Sequence, residues 1–121
     1  MEITAATAKA TSLAALFDRL NEANGQNAWS GLDLALGFVG DVGDLVRQVQ
    51  VAENIRTYPG GREALEHELA DCLWSVLMLA DRYDVDLAAA FEKTTTQLEA
   101  RVSAKLAALA ETETAASSIA E

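Results

Sequence analysis

Two pairs of acidic residues share the same spacing in this sequence. Asp41 and Asp44 lie three residues apart, and Glu68 and Asp71 repeat that interval in a second segment. Residues three apart on a helix share one face, so each pair would project both carboxylates in the same direction. Both pairs are embedded in apolar sequence. If the two segments form neighbouring antiparallel helices, four carboxylates would surround one small volume.

Such a group of negative charges at low dielectric is not stable without a compensating charge. A divalent cation would remove the repulsion. All-oxygen ligands favour Mg²⁺ or Mn²⁺ over zinc, with Ca²⁺ as a further candidate. The alternative is that each pair lies on an ordinary solvated helix face. The spacing therefore predicts a hard-cation site, with two separate solvated patches as the competing interpretation.

Three glycines, Gly37, Gly40 and Gly43, interrupt the first acidic segment. Each costs about 0.8–1 kcal/mol relative to Ala inside a helix, so a loop is the alternative structure for this segment. A phosphate-binding loop would end in Lys-Ser/Thr, and an EF-hand loop would carry a D-x-D-x-D-G pattern; the segment has neither. The flanking apolar residues keep helical spacing. We therefore predict a helix whose bare glycine strip allows close approach of another backbone.

The apolar periodicity predicts four helices, at about residues 5–23, 31–56, 62–82 and 87–110. The segment Tyr58–Gly61 holds the only Pro and the only Gly-Gly pair, and is predicted to be a turn. Residues 1–110 are expected to form a single helical domain. The small and polar segment 111–121 is expected to be a frayed or disordered tail.

Local signals mark the ends of these helices. Gly25 suits a left-handed cap after the first helix, and Ser30 with Asp33 has the pattern of a capping box before the second. Asp86 is expected to cap the fourth helix. The predicted core positions of the second and third helices are Leu34, Phe38, Val42, Leu45, Val49, Leu65, Leu69, Leu73, Val76, Leu77 and Ala80.

Composition and charge restrict the class of function. The formal net charge of −10 argues against nucleic acid as a partner. No apolar run approaches the roughly 20 residues of a bilayer span, and the N-terminus lacks the basic start and apolar core of a signal peptide. The single cysteine, Cys72, is expected to be a buried small hydrophobe, with a reactive thiol as the minor interpretation. The chain is expected to be cytoplasmic, without a membrane partner.

The segments "VGDVGDL" and "HELADCLWSVLMLADRYDVDL" together resemble the MazG-like, all-α nucleoside triphosphate pyrophosphohydrolases. That family carries an E-x-x-E pair followed by an E-x-x-D pair. Here Asp41 and Asp44 stand for the first pair, and Glu68 and Asp71 match the second. The resemblance covers about residues 29–101. It implies a compact four-helix bundle that oligomerises through helix packing, as a homodimer or homotetramer.

The resemblance also implies the chemistry. The family hydrolyses a nucleoside triphosphate between its α and β phosphates, which releases a nucleoside monophosphate and pyrophosphate. By resemblance, Asp41, Asp44, Glu68 and Asp71 are the Mg²⁺ ligands, with Mn²⁺ as an alternative ion, and one acid of the first pair also acts as the base. The implied substrate is an NTP or dNTP, and the implied role is nucleotide-pool house-cleaning.

Three further residues are candidates for substrate binding. Arg47, one turn beyond Asp44, and Lys93 are expected to meet phosphate oxygens, with ordinary surface charges as the equal alternative. Trp29 is the better candidate for stacking on a base, whereas Trp74 is expected to be core. His67 is expected to point away from the acidic face, as a solvent or interface residue.

The sequence also departs from the family pattern. The first pair consists of two aspartates, each one methylene shorter than the glutamate of the family pattern. Gly40 stands where the family often has a further Glu. Gln97 lies four residues after Lys93, where many members carry Asn. These departures support an alternative function, namely an inactive relative that binds nucleotide or a protein partner without turnover. A purely structural helical dimerisation domain is the third interpretation.

Overall fold

The computed structural model describes residues 2–120, and over that range it is helical with no β-strand. The helices are α1 (Ile3–Ala23), α2 (Gly31–Ala52), α3 (Arg62–Arg82) and α4 (Leu87–Ala120). The predicted all-α class and the four predicted helices are therefore confirmed. None of these helices combines the length and the hydropathy that a membrane-spanning segment needs.

The chain divides between Asp86 and Leu87 into two compact units. The first unit contains α1, α2 and α3, and α3 packs against both α2 and α1. The second unit contains α4. Because both acidic pairs lie in the first unit, the candidate site can be described there without reference to the second. The single domain over residues 1–110 stays a prediction.

The local signals at the start of α2 are confirmed. The Ser30 hydroxyl accepts a hydrogen bond from the Asp33 backbone N–H at 3.1 Å, and the Asp33 carboxylate accepts one from the Ser30 backbone N–H at 2.9 Å. Two otherwise unpaired backbone donors are satisfied in this way. These hydrogen bonds lower the pKa of the Asp33 carboxyl below its ordinary value. Gly25 adopts the predicted left-handed conformation, with φ of +70°.

Two predicted helix ends were wrong. α2 ends at Ala52 and not near Arg56, because Asn54 takes a left-handed conformation with φ of 59°. α4 continues to Ala120 and not to about Ala110, so it includes most of the segment predicted to be a tail. Alanine is the strongest helix former, and the polar Thr112 hydroxyl bonds back to the Ala108 carbonyl at 3.0 Å. The segment therefore satisfies its own polar groups in helical form.

The three glycines of α2 lie inside the helix as predicted, but the close approach predicted for them was wrong within the described chain. A Cβ atom built at Gly37, Gly40 or Gly43 would meet no atom within 4 Å beyond the helix's own backbone. Gly31, at the start of α2, is the closely packed glycine of this helix. A Cβ there would meet the side chains of Arg82 and Tyr83 at the end of α3.

The inward face of α3 is also different from the predicted one. Leu77 is buried as predicted, but Leu69 and Leu73 remain about half exposed, at 51% and 49%. Ser75 and Met78, which were not predicted, are buried. Apolar residues occupy more than one side of α3, so their spacing alone does not select the buried side. The observed inward side, with Ser75 and Met78 at its centre, is the side that carries Glu68 and Asp71.

We expect Ser30→Ala to destabilise the fold by about 1 kcal/mol, because the first turn of α2 loses its side-chain cap. Thermal unfolding monitored by circular dichroism measures this effect. Thr11→Ala is a matched control, because its hydroxyl also bonds to the backbone but lies within α1. Equal melting temperatures for the wild type and Ser30→Ala would show that the capping box contributes nothing to stability.

Candidate active site between α2 and α3

α2 and α3 run antiparallel, with the acidic pairs at the middle of both helices. The start of α2 at Gly31 lies beside the end of α3 at Arg82. In the middle, the Ser75 hydroxyl of α3 donates a hydrogen bond to Asp41 Oδ2 of α2 at 3.1 Å. Asp44 lies one turn further along α2, which in antiparallel packing is the level of the second acidic pair on α3.

All four carboxylate residues, Asp41, Asp44, Glu68 and Asp71, are half-buried. They lie on the faces that carry the buried residues of the two helices, Leu34 and Gln48 on α2 and Ser75 and Met78 on α3. This position differs from that of an acid on a solvated face, where the side chain projects away from the neighbouring helix. The side chains of Asp44 and Asp71 remain 49% and 42% exposed, so the shared cation site stays a prediction.

The Cys72 thiol of α3 lies near the acidic residues of both helices. Burial raises the pKa of this thiol above its ordinary value, and nearby negative charges raise it further. The charges responsible are Asp41, Glu68, Asp71 and Asp44. All four carboxylates therefore lie near enough to Cys72 to raise the pKa of its thiol. Cys72 is half-buried, and not fully buried as its apolar surroundings predicted.

Three of these carboxylates have partners within the protein. Asp41 accepts the hydrogen bond from Ser75. Asp44 pairs with Arg47, with 3.7 Å between Oδ1 and Nη1, and Asp71 pairs with His67, with 3.1 Å between Oδ2 and Nε2. His67 is solvent-exposed as predicted, but the prediction that it points away from the acidic face was wrong.

The carboxylates share an interface but do not form a closed coordination sphere. Within residues 2–120, no three side chains of His, Cys, Asp or Glu are gathered closely enough to hold a metal ion. The donor set nevertheless suits a hard cation, because its oxygens are those that Mg²⁺ prefers. Side-chain rotation about half-buried positions would be required to bring these oxygens onto one ion.

A pocket of about 780 Å³ opens beside the acidic residues, between α1 and α3. Asp41 and Asp71 belong to its lining, so the pocket and the carboxylates are continuous. Three aromatic residues contribute to its lining, and their rings contact one another: Phe17, Trp29 and Trp74. The ring centroids of Phe17 and Trp29 are 4.9 Å apart, and those of Trp29 and Trp74 are 6.3 Å apart.

The two tryptophans differ in how firmly they are held. The Trp74 indole N–H donates to the Ala10 carbonyl of α1 at 3.3 Å, so this ring is fixed between two helices. Trp29 lies in the segment before α2 and is 39% exposed. The sequence prediction did not include Phe17, Lys9 or Ser12, which α1 contributes to the pocket.

Comparison with known proteins decides the family. Residues 32–104 match the model of the MazG nucleotide pyrophosphohydrolase domain. The chain belongs to the MazG family. The matched range covers more than half of the chain and contains both acidic pairs. Searches of curated proteins and of solved structures returned no match.

Membership of the MazG family indicates a nucleotide pyrophosphohydrolase, and it agrees with the resemblance carried by the acidic pairs. Of the predicted substrate-binding residues, Arg47 lies beside Asp44, and Trp29, which precedes the matched range, lines the pocket. Lys93 lies on α4, in the second unit, and it stays a prediction.

The raised pKa of Cys72 makes a direct prediction about its reactivity. Less thiolate is present at a given pH than for an ordinary thiol, so alkylation by iodoacetamide should be slow at pH 8. Glu68→Gln removes one of the responsible charges, which lowers the thiol pKa and should raise the alkylation rate by about twofold, as for one partly screened charge. Glu66→Gln is the control on the same helix. Equal rates for both variants would contradict convergence on Cys72.

Proposed function

We propose that this MazG protein is an Mg²⁺-dependent nucleoside triphosphate pyrophosphohydrolase that cleaves between the α and β phosphates. The match of residues 32–104 to the MazG nucleotide pyrophosphohydrolase domain supports this proposal most, together with the Ser75–Asp41 hydrogen bond that brings an acidic residue of α2 against α3. Water is consumed, and the products are a nucleoside monophosphate and pyrophosphate. Mn²⁺ is the alternative ion.

The four carboxylates would hold the metal after side-chain rotation. A bound Mg²⁺ would screen the phosphate charges and acidify a coordinated water. The protein's own part is to orient the triphosphate and to accept the proton of the attacking water at a carboxylate oxygen. We assign that base to the first pair, Asp41 or Asp44. Asp41 also lines the pocket. A water molecule activated by Asp41 would therefore lie beside a nucleotide bound in that pocket.

The aromatic lining of the pocket favours a substrate whose phosphates are attached to a nucleoside. Stacking on an aromatic ring is worth about 1–3 kcal/mol per base and is tolerant of base identity. Trp29 is the most accessible of the three rings and is therefore the proposed stacking partner. Lys9, at the same pocket, supplies a positive charge that the sequence prediction did not assign to the site.

A panel of NTPs and dNTPs, assayed for pyrophosphate release with Mg²⁺ and with Mn²⁺, tests the proposal. We expect turnover of at least one nucleotide and its loss on addition of EDTA. Identification of the two products by anion-exchange chromatography fixes the bond that is cleaved. A panel without metal-dependent turnover would contradict the proposal.

A nucleotide-binding module without turnover is the second candidate. It is favoured by the absence of a gathered three-ligand cluster among the described residues and by the shortened side chains of Asp41 and Asp44. This candidate requires tight nucleotide binding in titration calorimetry with no product formed during the experiment. A structural dimerisation domain, in contrast, would show neither nucleotide binding nor a thermal shift with Mg²⁺.

We further propose that the protein assembles as a homodimer or homotetramer, removes unwanted nucleotides from the cytoplasmic pool, and has no nucleic-acid or membrane partner. The face of α2 opposite α3 supports the assembly, since it is apolar and exposed: Leu32, Leu36, Val39 and Val46. Gly43 lies between Val39 and Val46 on that face, so a second copy could make the close approach that residues 2–120 do not make there. Light scattering should give a multimer for the wild type and a smaller species for Val39→Asp; a monomeric wild type would contradict this assembly.

A further inference from the structure

We propose that Tyr58, in the loop between α2 and α3, is a positioning residue for Arg47. It would hold the Arg47 guanidinium so that this group can pair either with the Asp44 carboxylate or with phosphate oxygens of a nucleotide. Arg47 pairs with the Asp44 carboxylate. It would turn to phosphate oxygens of a nucleotide if a cation were held at that carboxylate. This inference rests on the proposed function and adds a residue to which the sequence analysis gave no role in the site.

The contact between Arg47 and Asp44 has the geometry of a loose ion pair. Their atoms Nη1 and Oδ1 are 3.7 Å apart, and the side chains are 37% and 49% exposed, respectively. A charge-assisted hydrogen bond would be about 2.7–2.9 Å long. Exposed ion pairs of this kind contribute little to stability. Arg47 can therefore leave Asp44 at small cost when another cation arrives.

Tyr58 holds the same guanidinium from a different direction. The central carbon of the Arg47 guanidinium lies over the Tyr58 ring, 5.0 Å from its centroid. Stacking uses the face of the guanidinium and leaves its N–H edges available. The ring therefore fixes the plane of the group without occupying the donors that would bind phosphate.

The loop has a structural reason to place Tyr58 there. Gly60 and Gly61 adopt φ values of +149° and +121°, which side chains rarely tolerate, and these residues turn the chain into α3. Gly60 packs against the end of Gln48, since a Cβ atom at Gly60 would lie 3.1 Å from Gln48 Oε1. Gln48 is the neighbour of Arg47, so the turn anchors Tyr58 close to Arg47.

Titration calorimetry with two probes tests the exchange without any turnover. The probes are Mg²⁺ alone and inorganic tripolyphosphate in the presence of Mg²⁺. We expect Tyr58→Leu to weaken tripolyphosphate binding about two- to fivefold, the scale of an exposed cation–π contact, with unchanged Mg²⁺ affinity. Tyr58→Phe retains the ring and should bind as the wild type does.

Arg47→Gln distinguishes exchange from a purely structural role. Removal of the competing charge should raise the affinity for Mg²⁺ alone and lower that for tripolyphosphate, whereas a structural role would lower both. Wild-type binding by Tyr58→Leu, parallel losses in Arg47→Gln, or no tripolyphosphate binding by the wild type would each overturn the inference. Failure of the proposed function is separate, because it would appear as tripolyphosphate binding by a protein that hydrolyses no nucleotide.

Discussion

Asp71→Asn should reduce kcat for pyrophosphate release by at least about 10- to 100-fold, because it removes a proposed Mg²⁺ ligand. Asp71 belongs both to the group of carboxylates around Cys72 and to the lining of the pocket. The amide has nearly the same size but no charge, so it is a poor Mg²⁺ ligand. The Mg²⁺-induced rise in melting temperature, which follows from mass action in the wild type, should also be lost.

Glu66→Gln is the matched control for this variant, because it removes a charge from the same helix at an exposed position paired with Arg62. It should retain wild-type kcat and the wild-type response to Mg²⁺. Asp71→Asn also loses the exposed contact with His67, which is worth little to the fold. If Asp71→Asn hydrolysed nucleotides at the wild-type rate, Asp71 would have no part in the site.

Trp29→Ala should raise KM for the preferred nucleotide by about 5- to 100-fold with a much smaller effect on kcat, because it removes a base-stacking surface. The ring lies 4.9 Å from that of Phe17 and is the most accessible of the three pocket aromatics. Steady-state kinetics over a range of nucleotide concentrations separates the two constants, and tripolyphosphate binding should be unaffected, since that probe carries no base.

Trp29→Phe keeps an aromatic face and should restore most of the affinity. Melting temperatures must accompany both variants, because Trp29 also packs against Trp74. An unchanged KM in Trp29→Ala, or a loss of stability with equal weakening of tripolyphosphate binding, would assign Trp29 to packing and remove it from the substrate site.

Much of the fold could be predicted because its signals are local. Apolar spacing located the four helices, and Ser30 with Asp33 located the start of α2 to the residue. The ends were harder, because Asn54 ends α2 through a backbone conformation that apolar spacing does not encode. The inward face of α3 was missed because leucines surround that helix, and only contact with α2 selects the side carrying Ser75.

The acidic residues of the candidate site could be picked out from the sequence, but the residues that contact them could not. The spacing of Asp41, Asp44, Glu68 and Asp71 indicated a shared volume, and these residues are half-buried on the sides of α2 and α3 that carry buried residues. The partners Tyr58 and Ser75 were not predicted, since each reaches the site from another element through contacts that leave no periodic pattern. The same reason applies to the residues that α1 contributes to the pocket, such as Lys9 and Phe17.

The central claim is that carboxylates from two helices bind one cation together. Calorimetric Mg²⁺ titration of Asp41→Asn, Glu68→Gln and the double variant tests it most directly, because the two residues come from α2 and α3, respectively. We expect each single variant to lose at least about tenfold in Mg²⁺ affinity, and the double variant to lose less than the sum of the two effects, as for coupled residues. Wild-type affinity in either single variant, or strictly additive losses, would contradict a shared site.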